Sequence, residues 1–279
     1  EKTDRWLWNT GFHFGEWLIP GQPSEGLEVC KESASYIAPF FGYRTLRVFA
    51  EICFLLNRAE YSVYSDYAEH MKQAIVDGLL TPGHLPKHLM GAYVLAFAFG
   101  LVPEALYPQF TAQLRTLLDD ADDCVGTGFL ATPFLLDVAE ALYGAEAALR
   151  ILMQTKQPSW LFEVEQGATA IWENWFAFSE QGEPQKCSFD HYAFGCVDDW
   201  LCRRLCGIDA AKPGFSELRI APLANVPFDW RRTFVCEAGE IAVRKDGASL
   251  QVRIPPNTTA EVLWNGAAHN IGSGAYAFC

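Results

Sequence analysis

At 279 residues, half of them hydrophobic and 14% aromatic, the chain is long enough for a large core and too apolar for a disordered segment. A net charge of −13 argues against a nucleic-acid partner, which needs clustered Lys and Arg. The longest apolar run, AYVLAFAFGLV at 92–102, is too short to span a bilayer and reads as a buried helix, so no membrane partner is expected.

Residues 1–24 are aromatic and rich in Gly and Pro, which predicts loop or short extended structure, with Trp17 inside GFHFGEW. EKTDRW carries no signal-peptide pattern, and the native start is expected to lie upstream. From Glu25 the signal becomes helical. Ile37, Phe40, Phe41, Leu46, Phe49, Ile52 and Leu55 recur every three or four positions and predict one broad inward face. A second helix is predicted over 60–80, stopped by the Thr-Pro-Gly of 81–83. A third is predicted over 86–99. A fourth starts at Pro103 and Glu104 and ends near Asp119, Asp120, Asp122 and Asp123. That acidic run lacks the order of a calcium loop and reads as a solvated helix end. Two more helices follow at 128–142 and 144–155, separated by Gly144.

A last helix is predicted from His191, with Phe194, Val197, Leu201 and Leu205 as its apolar stripe and Gly207 as its stop. His191 is expected in the first turn, where the helix dipole favours a neutral imidazole. After Gly214 the period falls to two. Short alternating runs split by Asp246–Gly247 and Asn265–Gly266 predict a small antiparallel β domain. The sequon at Asn257 follows two prolines and reads as a turn.

Nine cysteines, an odd number scattered through the chain, do not form a disulfide framework. No histidine cluster or C-x-x-C supports a metal site, so the thiols read as small buried side chains in a reducing, cytoplasmic protein.

Within GATAIWENWFAFSEQGEPQKCSFDHYAFG (167–195), Glu173 stands between Trp172 and Trp175, with His191 eighteen residues on. Aromatic faces that pack on a pyranose, beside a carboxylate that takes a proton from water, suit sugar chemistry. The same residues also suit a buried tryptophan pair with a glutamate bonded to nearby backbone. From the residues alone both readings stand.

This stretch resembles the signature of bacterial alpha-L-rhamnosidases of glycoside hydrolase family 78, roughly TTIWERW, a loop, then SFNHYAFG. TGFHFGEWL (10–18) resembles the family's TGFHWGEWL. GTGFLATPFLL (126–136) and QTKQPSWLFEVEQGAT (154–169) resemble its STGFLGTPYLL and Q-T-x-x-P-S-W-L runs. GIDAAKPGFSELRIAP (207–222) resembles the crossing into the C-terminal sandwich, so the likeness covers nearly the whole chain.

The resemblance implies a mainly α fold, an incomplete (α/α)6 toroid of antiparallel helix pairs over 1–213 followed by a small antiparallel β-sandwich over 214–279. About eight helices are legible where such a toroid has twelve, so its first third is expected to lie elsewhere. Glu173 is implied as the catalytic base of an inverting glycosidase, with Trp17 stacking on the sugar and His191 binding its hydroxyls; Trp172 and Trp175 are substrate-binding candidates from the residues themselves, and His13 and Glu16 read as packing. The family's general acid belongs to an upstream D-E-R-x-G-W-x-G-D motif that this chain lacks, so the chain alone is expected to be inactive. The implied partner is a rhamnose-containing glycoside or oligosaccharide, with no metal or organic cofactor and a homo-oligomer as a further expectation. Other readings are a non-catalytic carbohydrate-binding protein and another helical-toroid glycosidase or lyase.

Overall fold

A computed structural model describes residues 6–8, 10–21, 28–179 and 182–279, with side chains of the first helix from Lys31 onward. The expectations placed on residues 1–5, on Glu25 and on the Cys30 thiol lie outside the described residues. Contacts divide the chain into two compact units, Glu1–Gly195 and Cys196–Cys279.

The first unit is helical. It holds α1 (Glu28–Leu55), α2 (Tyr61–Ile75, continued by a π turn over Val76–Leu80), α3 (Met90–Ala98), α4 (Tyr107–Asp120), α5 (Thr132–Tyr143), α6 (Ala145–Leu152) and α7 (Trp160–Glu165). Helices α1 and α2 form a tightly connected pair; α3 packs on α4 and α5, and α5 on α6. Helix α3 is apolar all round and is buried from Met90 to Ala96, which its composition requires. The third predicted helix thus starts four residues late, because Pro86–Leu89 forms a turn. Helix α4 is preceded by a 3-10 turn at Glu104–Leu106, and Gly144 adopts φ 87° between α5 and α6. Helix α7, too short to show a period, is set by Ser159, whose hydroxyl caps it by accepting the Phe162 N–H at 3.2 Å.

The inward stripe predicted for α1 is split. Ile37 and Phe40 are buried, but Ile52 and Leu55 are 45% and 72% exposed. Beyond the buried Tyr43, α1 buries only the small side chains Ala50 and Cys53, while Phe49 meets Tyr64 of α2 edge-on. The face carrying Val48, Ile52 and Leu55 is covered by nothing among the described residues. The acidic run after α4 is not merely solvated. Asp119 and Asp123 both accept from Arg115, Asp123 also from Arg150, and Asp122 pairs with Lys156.

A 3-10 turn over Ala193–Cys196 ends where the second unit begins, and the second unit opens with α8 (Val197–Trp200) and a π turn (Leu201–Leu205). The predicted helix from His191 is therefore shorter: regular turns begin at Ala193, and His191 lies before them. Eight strands follow: β1 (Ile208–Ala210), β2 (Glu217–Ile220), β3 (Trp230–Cys236), β4 (Gly239–Asp246), β5 (Ser249–Ile254), β6 (Thr259–Trp264), β7 (Ala267–Ile271) and β8 (Gly274–Phe278). They form two four-stranded sheets, β1-β2-β6-β7 and β3-β4-β5-β8. Pairing is antiparallel except between β2 and β6, which run parallel because the chain leaves the first sheet, builds β3 to β5, and returns in the same direction. Ile220, Ile241, Val252, Val262 and Trp264 belong to one apolar core. Asn265 and Gly266, with φ of 47° and 79°, make the predicted two-residue hairpin between β6 and β7. The change of period near Gly214 falls between β1 and β2, inside this unit. Arg232 on β3 grips the Asp198 carboxylate of α8 with two bonds of 2.6 and 2.7 Å.

Candidate active site

The segment of 171–175 and the segment of 187–191 lie side by side without forming a named strand. The His191 N–H donates to the Ile171 carbonyl at 2.8 Å, and the Glu173 N–H to the Ser188 carbonyl at 2.9 Å. The Ser188 N–H donates to Glu173 Oε2 at 2.8 Å. The half-buried carboxylate is thus held at one oxygen, and Oε1 has no protein donor among the described residues.

His191 belongs to the same loop. Its Nδ1 accepts the Ala193 N–H at 3.3 Å, which leaves Nε2 as the ring nitrogen free to carry a proton. The ring is stacked on Phe129 at 5.2 Å and on Tyr192 at 5.0 Å, both nearly parallel. Phe129 links the loop to Trp17: the Phe129 N–H donates to the Trp17 carbonyl at 3.0 Å. Trp17 is half-buried, with Phe14 edge-on at 6.4 Å.

Glu16 fixes the segment that carries Trp17. Its Oε1 accepts the N–H groups of Gly128 and Ala131 at 2.9 and 3.1 Å, just before α5, and its Oε2 accepts the Tyr36 hydroxyl at 3.0 Å. Three donors favour the carboxylate, yet complete burial outweighs them and raises its pKa to about 7. Only glycine fits at position 128, because a Cβ there would stand 2.2 Å from the Trp17 carbonyl oxygen.

Trp172 and Trp175, read as sugar-contacting residues, are 3% and 1% exposed. Trp172 packs edge-on against Phe178 and Phe189. Trp175 is stacked on Phe194 at 4.1 Å and meets Trp160 edge-on. Their rings are therefore in contact with protein aromatics and almost closed to solvent. Backbone pairing and Phe129 link Glu173, His191 and Trp17, while both indoles are buried.

Residues missed in sequence include Phe129, Ser188 and Glu163. Phe129 lay in a quoted motif; Ser188 acts through its backbone and leaves no side-chain signal. Glu163 of α7 is buried, accepts the Trp172 N–H at 3.2 Å through Oε2, and leaves Oε1 with no partner among the described residues. Burial raises its pKa to about 7. Among the described residues no group of three or more His, Cys, Asp or Glu side chains forms a metal cage, and no helix is long and apolar enough to cross a membrane.

Residues 1–205 match the family described as the bacterial alpha-L-rhamnosidase 6 hairpin glycosidase domain, and residues 207–276 the bacterial alpha-L-rhamnosidase C-terminal domain. An alpha-L-rhamnosidase of Formosa agariphila is 30% identical over 260 residues, covering 89% of this chain and 28% of that protein. One from Streptomyces avermitilis is 33% identical over 215 residues, 74% of this chain and 21% of that protein. The crystal structure of the Streptomyces avermitilis alpha-L-rhamnosidase complexed with L-rhamnose superposes with a TM-score of 0.85 at 26% identity, over 99% of this chain and 29% of that one. Native rhamnosidase from Aspergillus terreus shares the fold, with a TM-score of 0.88 at 24% identity over 100% of this chain and 34% of that one. The chain thus spans less than a third of the length of the curated relatives it matches. From the domain match over 1–205 and these relatives, the chain belongs to the bacterial alpha-L-rhamnosidase family.

Proposed function

We propose that the chain is the C-terminal part of an inverting alpha-L-rhamnosidase that hydrolyses terminal alpha-L-rhamnose from glycosides or oligosaccharides. The observation that carries this reading is the Glu173 carboxylate, held at Oε2 by the Ser188 N–H and open at Oε1. In this role Glu173 is the general base. One oxygen is fixed in place, and the other takes a proton from the water that attacks the anomeric carbon.

His191, with Nδ1 engaged by Ala193, offers Nε2–H as a donor to a sugar hydroxyl. Trp17 supplies the aromatic face for the apolar side of the ring. Trp172 and Trp175 are packing residues in this reading. An inverting glycosidase places acid and base carboxyls about 6.5–9.5 Å apart on opposite faces of the sugar. The acid is assigned to the part of the protein outside residues 1–279, in keeping with the length of the relatives. Acid–base chemistry on an acetal needs no metal or organic cofactor.

The test compares an aryl and an alkyl alpha-L-rhamnoside. Residues 1–279 alone should turn over neither at an enzyme-like rate, the alkyl substrate being the more demanding because its leaving group needs a proton. A polypeptide extended upstream should hydrolyse both, releasing beta-L-rhamnose first by proton NMR. Retention of configuration, or turnover of the alkyl glycoside by 1–279 alone, would overturn the assignment. Rhamnose binding without hydrolysis in the extended protein would favour a non-catalytic sugar-binding role.

A further inference from the structure

Nine Lys and Arg balance nine Asp and Glu in residues 196–279, so the whole net charge of −13 belongs to residues 1–195. Within the balanced unit the positive charge is not evenly spread. On the outward face of the second sheet, Arg231 of β3 stands directly opposite Arg244 of β4, and Arg244 opposite Gln251 of β5. Arg253 projects from the same face two residues along β5.

Like charges directly opposed on neighbouring strands destabilise a sheet. Arg231 has no ion-pair partner among the described residues, so that repulsion is offset on the Arg244 side alone. Arg244 and Arg253 carry Asp246 and Glu240, but these pairs are exposed and each holds its arginine by about 0–1 kcal/mol. Small residues such as Ala242 and Ala277 make the floor between the arginines, leaving a groove of about 500 Å³ with no carboxylate in its lining. A low floor flanked by guanidinium groups admits a flat, extended ligand and engages oxyanions with paired N–H donors.

We propose that this face of the second sheet binds a saccharide bearing carboxylate or sulfate groups, outside the hydrolytic site. The choice of a saccharide rests on the glycosidase reading; the preference for an anion rests on the arginines alone. In a protein of strongly negative net charge, a local cationic face is what allows an anionic polymer to approach at all.

The 279-residue chain is titrated calorimetrically with oligogalacturonate, sulfated dextran and unmodified dextran, at low and high salt. Binding of the uronate, the sulfate ester or both is expected, with dextran silent; which of the two binds identifies the acid group. Arg231→Glu and Arg244→Glu should each weaken binding by at least about tenfold, the scale of one charged hydrogen bond. Arg219→Glu, on the first sheet, should leave it within about twofold. Circular dichroism checks that the sheets persist, and Arg231→Gln decides the matter should a reversal unfold them. The proposal is overturned if neither anion binds, if dextran binds equally, if Arg219→Glu has the same effect, or if single-stranded DNA binds with the same arginine dependence. Failure here leaves rhamnoside hydrolysis untouched, and loss of hydrolysis leaves this binding untouched, so the two readings fall separately.

Discussion

Ser188 and Glu173 hold each other twice: the Ser188 N–H donates to the Glu173 carboxylate at 2.8 Å, and the Glu173 N–H donates to the Ser188 carbonyl at 2.9 Å. One bond orients the side chain and the other fixes the backbone it grows from. In the extended rhamnosidase, Glu173→Gln should lower kcat by about 10²- to 10⁴-fold, the usual contribution of a general base, with little change in rhamnose affinity. Ser188→Pro, which removes the donor together with the hydroxyl that bonds Asp190, should lower kcat by at least about tenfold, with Ser188→Ala as the control that keeps the N–H. Steady-state kinetics beside rhamnose titration checks both, and a fall in affinity without a fall in kcat would contradict the assignment.

Trp17 and Trp175 should respond oppositely to truncation. Trp175 is 1% exposed and stacked on Phe194, so Trp175→Ala should cost about 3–5 kcal/mol of stability. Trp17→Ala should weaken rhamnose binding while leaving the melting temperature within a few degrees. Calorimetric melting and sugar titration of both variants separate the roles.

Glu16 and Glu163 predict a pH dependence with a definite sign. Both have folded pKa values of about 7, raised from 4.5 by burial. The native state therefore binds their protons more tightly than the unfolded chain does. The resulting stability is full below about pH 4.5 and is lost as pH rises through 7, by roughly 1–3 kcal/mol per group. Glu163→Gln, which cannot ionise, should flatten part of that slope. Melting curves at pH 5 and pH 8 measure the effect, and a chain equally stable at both would refute it.

Val48, Ile52 and Leu55 share an uncovered face of α1. Such a face drives association. Residues 1–279 in isolation should self-associate by light scattering, and Ile52→Lys with Leu55→Glu should reduce this. A sharp monomer peak from the unaltered chain would contradict the expectation.

The helices were legible wherever a 3.6-residue period ran for three turns, as in α2 and α4, and the hairpin turns wherever Asp-Gly or Asn-Gly broke an alternating run. Helix α7 had no such length and was missed. The region around Glu173 was legible in composition but not in facing. In irregular backbone no period says which of Trp172, Glu173 and Trp175 turns inward; the pairing with Ser188 decides it, fifteen residues away. The residues after His191 suit a helix, but regular turns begin only at Ala193, after the His191 N–H has paired with the Ile171 carbonyl. Along α1, apolar spacing marked a face without saying what would cover it.

The bonds from Glu16 to Gly128 and Ala131 span 112 and 115 residues. During synthesis, then, the turn bearing Trp17 leaves the ribosome long before anything exists to receive it, and His191 emerges later still. At roughly 5–20 residues per second the wait for His191 is on the order of ten to thirty seconds. For that interval the aromatic residues around Trp17 are a natural target for chaperones, and slowing translation between Gly100 and Gly195 should lengthen their exposure rather than improve the yield of folded protein.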